Sequence, residues 1–194
     1  WFSVGVIPYF VAVFLSGFVQ MGMFILFQRW LSFSFSGPSF FWRSMLLQFS
    51  LFVPCVFMVA PASFFSSRFP KGKVMAWSSF GMTLTLVAIA VLFGLDIGWV
   101  AFGLMLLYGI FLSIHSPAKL GLLKELFGDR NLVKANAWQS SVAVLGMVAV
   151  SFLTISFTPG EDSPIPYEIL PYIFLGLSLC GTIFAFFIKG GNVK

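Results

Sequence analysis

Apolar residues run along this chain in six long blocks separated by short polar joints, over residues 6–28, 42–65, 75–95, 98–118, 134–157 and 167–189. Each block has about the 20 residues that an α-helix needs to cross roughly 30 Å of hydrocarbon. No ten-residue alternation with repeated turns is present. An uncovered strand would also leave backbone groups unpaired in lipid, so the pattern predicts helices and not a barrel. The expectation is an all-α polytopic membrane protein, six transmembrane helices forming one bundle over residues 1–194. Pro54 and Pro61 interrupt the second block and predict a kink there.

Composition agrees with the lipid assignment. The chain is 59% hydrophobic and 9% charged, with a mean hydropathy of +1.01, which leaves too little polar surface to cover a water-soluble globule. Its first residues, WFSVGVIPYF, carry no basic leader and no small-residue cleavage site, so no removable signal peptide is expected, and the missing initiating Met implies residues before Trp1. Cys55 and Cys180 both fall in apolar runs, where a thiol behaves as a small hydrophobe and no disulfide is implied.

Charge then orients the bundle. Six of the seventeen charged side chains crowd into residues 113–136. Of the eleven bases, Arg68, Lys71, Lys73, Lys119, Lys124, Arg130, Lys134, Lys189 and Lys194 fall on one side of the six-span arrangement, and only Arg29 and Arg43 on the other. The positive-inside bias places those nine in the cytoplasm, with both ends of the chain on the cytoplasmic side of the membrane. Asp96, Glu161, Asp162 and Glu168 fall on the opposite side. The net charge of +5 is spread over short joints between spans, so membrane lipids are the expected partner and nucleic acid is not.

Catalytic chemistry has little to draw on. His115 is the single histidine, there is no set of ligands spaced for zinc, and no nucleophile elbow, phosphate loop or zinc-protease motif occurs. The expectation is no enzyme activity, no cofactor and no metal. Polar atoms at depth come from Gln20, Gln48, Gln139, Ser140 and Ser141, which serve either as hydrogen bonds between helices or as substrate contacts. Gln20 is the first candidate for a substrate contact, because Gly17 and Gly22 flank it in mid-span. Gly81, Gly94, Gly98, Gly103, Gly109, Gly146, Gly176 and Gly181 are read with them as places where helices approach closely, without a GxxxG pair.

Two joints carry a family resemblance. APASFFSSRFPKGKVM, after the second block, resembles the cytoplasmic signature loop of the major facilitator superfamily, and SRFPKGKVM with SPAKLGLLKELFGDRNLVKAN resembles its lysophospholipid transporter branch. Arg68, Pro70 and Lys71 fit the first pattern; Pro117, Lys119, Glu125 and Asn136 fit the second. The resemblance covers about residues 14–136 and implies an N-terminal six-helix half with a 3+3 inverted repeat, facing a second six-helix half or a homodimer mate across a cavity. It implies movement of lysophospholipid between leaflets of a bacterial inner membrane for re-acylation, with Gln20, Lys119 and Gln139 as substrate-binding residues and an acyltransferase as a possible partner. Three acidic positions of the pattern are filled here by Ser67, by Gln20 and by Gln139 or Ser140. That replacement implies facilitated movement, a degenerate carrier, a carrier of another amphipathic solute, or a non-transporting membrane anchor for such an enzyme.

Overall fold

The computed structural model describes residues 5–95, 97–156 and 169–188. They form five helices: α1 (Val6–Ser34), α2 (Gly37–Arg68), α3 (Lys71–Gly94), α4 (Gly98–Ser156) and α5 (Leu170–Phe187). All five are long and apolar enough to cross a membrane, so the chain is built as an integral, polytopic, all-helical protein. Asp96, Glu161, Asp162, Glu168, Lys189 and Lys194, together with the outer ends of the fifth and sixth expected spans, lie outside the described residues.

The helix count differs from the six spans expected, and the reason is local. Blocks 98–118 and 134–157 belong to a single 59-residue element, α4, because the charged stretch between them is helical and not a loop. At 1.5 Å per residue a straight α4 would be about 88 Å long, far more than a bilayer holds. It is not straight. Gly128 alone departs from helical geometry (φ 70, ψ 168) and divides α4 into two arms.

Contacts with α1 give the direction of each arm. Along the first arm they run backwards: Tyr9 reaches Lys119, Phe27 meets Phe102, and Trp30 meets Trp99. Along the second arm they run forwards: Tyr9 bonds Gln139, Gly17 lies on Ala143, and Gly22 lies beside Val150. The first arm is therefore antiparallel to α1 and the second parallel to it, and the chain reverses at Gly128.

Helix α2 is continuous through Pro54 and Pro61, the two positions where a kink is expected. Pro54 cannot donate to the Ser50 carbonyl one turn back, and that carbonyl faces α4, where a Cβ built on Gly109 would stand 2.9 Å from it. A side chain at position 109 would push α4 away from the freed oxygen.

Glycine has this use at most, but not all, of the expected positions. Added Cβ atoms at Gly17, Gly22, Gly81, Gly94, Gly98, Gly109 and Gly146 would overlap neighbours, whereas Gly103 and Gly176 have nothing within 4 Å and Gly181 makes only ordinary contact. Gly103 and Gly176 lie on exposed helix faces, which hydropathy does not reveal.

Two apolar clusters fill the interior. One, around Phe18, Leu26, Leu86, Met105 and Phe174, occupies most of the length of α1. The other, around Tyr9, Met75, Ala118, Leu122 and Ile188, sits at the end where α2 passes into α3 and where α4 turns. The two base-rich joints share this end, since Lys71 pairs with Glu125 at 3.0 Å. Arg43 lies at the opposite end, its guanidinium 3.6 Å over Phe35 and 5.2 Å from Trp99.

Candidate functional site

Helices α1 and α2 run antiparallel and are tied at one end by Ser44, whose hydroxyl donates to Gln28 Oε1 at 2.9 Å. Two turns further into the bundle, Gln20 of α1 and Gln48 of α2 border a space that Met147 on the second arm of α4 also lines. The result is a cleft of about 330 Å³ lined by Gln20 and Phe24 of α1, Gln48 and Phe52 of α2, and Met147 of α4. Its volume lies within the range of small-molecule sites, and its pattern of apolar walls with a few convergent polar groups is theirs too.

Gln20 is half-buried and Gln48 exposed. Neither amide is engaged by another described side chain or backbone group. Each offers two donors and an acceptor, and among the described residues no Asp, Glu, Lys or Arg lines the cleft. It can therefore hold a ligand that has a long apolar part and neutral hydrogen-bonding groups.

Lys119 and Gln139 are elsewhere. Both gather around Tyr9, about 16 Å down α1 from Gln20 at helical rise. The Tyr9 hydroxyl lies 2.7 Å from Gln139 Oε1 and 3.2 Å from the Lys119 carbonyl, so one buried phenol joins α1 to both arms of α4. Gln139 is buried, while Ser140 and Ser141 are exposed. Lys119 is half-buried and has no ion pair among the described residues. The structure thus brings two of the three expected substrate residues together and leaves Gln20 apart, in the company of Gln48.

The joint-motif residues hold the end of the bundle. Pro70 caps α3, so Lys71 begins the helix and reaches Glu125. Gly121 makes that reach possible, because a Cβ there would stand 2.6 Å from Lys71 Cδ. Arg68 closes α2 with its guanidinium 4.3 Å over Phe64. Pro117 lies inside the first arm, and Asn136 is exposed on the second. Lys124 pairs with Asp129 across the break at 2.9 Å, with both side chains largely in solvent.

Sequence reasoning did not find the polar strings inside the bundle. His115 is buried, with Nδ1 3.2 Å from Ser78 Oγ and 3.4 Å from Ser79 Oγ. Its Nε2 has no hydrogen-bond partner among the described residues. Thr83 Oγ1 lies 2.7 Å from Ser178 Oγ and 2.8 Å from Thr182 Oγ1, joining α3 to α5. Hydroxyls at Ser78, Ser79 and Thr83 share one face of α3 at helical spacing, and that spacing was the available signal. Cys55 and Cys180 are free thiols, and Cys55 Sγ is 3.2 Å from Ser113 Oγ. Among the described residues no three His, Cys, Asp or Glu gather as metal ligands would.

The Tyr9 bond yields a measurable expectation. In a double-mutant cycle of Tyr9→Phe and Gln139→Leu, the coupling read from unfolding in detergent should be about 0.6 to 2 kcal/mol, the range for hydrogen bonds between membrane helices. Comparison of the chain with protein-family models, with characterised proteins and with solved structures finds no match.

Proposed function

We propose that the chain is one six-crossing bundle of a lipid carrier similar to the lysophospholipid transporter branch of the major facilitator superfamily, with each arm of α4 crossing the membrane separately. Its substrate is a lysophospholipid or a close amphipathic analogue, and the Gln20–Gln48 cleft takes part of it. The observation that carries the reading is that cleft: two amides without partners among the described residues stand in an apolar wall between helices. The reversal at Gly128, the clustering of the two resembling joints at one end, and the cationic side chains of Arg68, Lys71 and Lys119 there support it. Lysophospholipid supplies one acyl chain for the walls and a phosphate for the basic end. A neutral cleft fits facilitated movement better than cation coupling, because an ionisable group in the membrane is the usual coupling element.

The full-length protein in proteoliposomes should accelerate inward movement of labelled lysophospholipid over protein-free vesicles. Gln20→Leu should slow it about five- to ten-fold, the effect of removing one hydrogen bond of roughly 1 to 1.5 kcal/mol. Movement equal to that of empty vesicles would refute the carrier reading. The absence of any charge from the cleft also favours a second reading, a non-transporting module that holds an acyltransferase at the membrane. In that case Gln20→Leu leaves cellular re-acylation unchanged.

A further inference from the structure

A second cavity, on the outside of the bundle, has the chemistry of a lipid site. It is a groove of about 360 Å³ between the end of α2 and the start of α3, lined by Phe65, Phe69, Lys73, Trp77, Phe111 and Ile114. The Phe65 and Phe69 rings stack with centroids 6.3 Å apart and form one wall. Trp77, the other wall, is 63% exposed, so the groove opens sideways and not into the bundle. Phe111 lies across Gly81, where a Cβ would collide with its ring, and this fixes the floor.

Polar groups in the groove are few and unequal. Ser78 is already engaged, since its hydroxyl donates to the Met75 carbonyl at 3.0 Å and lies near His115. Lys73 is exposed and has no ion pair among the described residues, whereas its neighbour Lys71 is held by Glu125. Arg68, stacked on Phe64, places a second cation on the adjoining turn of α2. No carboxylate lines the groove among the described residues. A slot that is apolar along its length and cationic at the basic end of the bundle is complementary to an amphiphile with an anionic head.

We infer that this groove is a resident site for an anionic phospholipid of the bilayer, with an acyl chain along Phe65, Phe69, Trp77 and Phe111 and the phosphate on Lys73. The site is separate from the Gln20 cleft and requires no transport. A free phosphate would leave the aromatic walls unused, and a zwitterionic lipid would set a choline or ethanolamine cation beside Lys73 and Arg68.

Trp77 reports on the site directly. The full-length protein is reconstituted in phosphatidylcholine vesicles that contain a small fraction of either brominated phosphatidylglycerol or brominated phosphatidylcholine. The Trp77 emission is taken as the difference between wild type and Trp77→Phe. Occupancy by the anionic lipid should exceed that by the zwitterionic one about five-fold, the factor associated with one Lys at an anionic lipid surface. Lys73→Gln should remove the preference and Lys73→Arg should keep it. Equal quenching by the two lipids, or a preference that survives in Lys73→Gln, would overturn the assignment.

Discussion

Replacing Gly146 by valine is expected to destabilise the bundle by about 3 kcal/mol, at the upper end of the usual cost of overpacking. A Cβ at this position would run into the Phe14 carbonyl and come within 3.1 Å of the Phe18 nitrogen. Both are backbone atoms of α1, so no rotamer change relieves the overlap. The fit is reciprocal, because a Cβ on Gly17 would stand 2.7 Å from the Ala143 carbonyl. Helices α1 and α4 thus touch backbone to backbone, as membrane helices do where small residues meet. Gly103→Ala and Gly176→Ala serve as controls. Nothing lies within 4 Å of either position, and alanine should be neutral or stabilising by up to about 1 kcal/mol through helix propensity. Thermal unfolding of the detergent-purified protein reads all three; similar shifts for Gly146→Val and Gly103→Ala would contradict the packing.

Gly128→Ala has the second large effect, and its cause is conformational. With φ 70 and ψ 168, Gly128 occupies a region that is essentially reserved for glycine, and an L side chain there costs about 1 to 3 kcal/mol. The space around it is open, so the penalty comes from the backbone and not from collision. Asparagine should not rescue it, because the tolerance of asparagine is for the left-handed helical well near ψ 47, not for extended ψ. Equal unfolding temperatures for wild type and Gly128→Ala would show that the reversal does not depend on this residue. A variant that loses the reversal would carry the second arm away from α1, and with it the Tyr9–Gln139 bond, whereas Lys71–Glu125, which lies before the break, would stay.

Hydropathy located the apolar parts of every helix, because lipid requires long uninterrupted apolar stretches and nothing else in the chain resembles them. It misjudged where they end. By hydropathy block four stops at Ala118, where charge begins, yet His115, Ala118 and Leu122 are buried at helical spacing and Lys124 points out. The helix continues as an amphipathic one, and a reading by charge density passes over that periodicity. At Pro54 the sequence shows the missing donor but not what faces the freed Ser50 carbonyl, which is α4 at Gly109, a contact between residues far apart in sequence.

The candidate site was legible only in part. Gln20 stood out as a polar side chain deep in an apolar helix, and Gln48 for the same reason, but their sharing of one cleft depends on how α1, α2 and the second arm of α4 pack. Gln139 has the same sequence character and a different situation, because Tyr9 has taken its amide oxygen. Tyr9 itself lies in an apolar run near the chain start, with nothing local to announce that it bridges both arms of α4. The resembling joints carried more information, placing Lys71 and Glu125 in motifs that the fold then pairs.

Accessibility labelling tests the arrangement of crossings most directly. Single cysteines are placed at Ser36, Ser67, Asp129 and Glu161 in a chain whose Cys55 and Cys180 are replaced by alanine, and each is probed from the two sides of the membrane. Ser67 and Asp129 should react from the cytoplasmic side, and Ser36 and Glu161 from the opposite one. Reaction of Glu161 from the same side as Ser67 would mean that α4 crosses once, and the six-crossing bundle would be wrong.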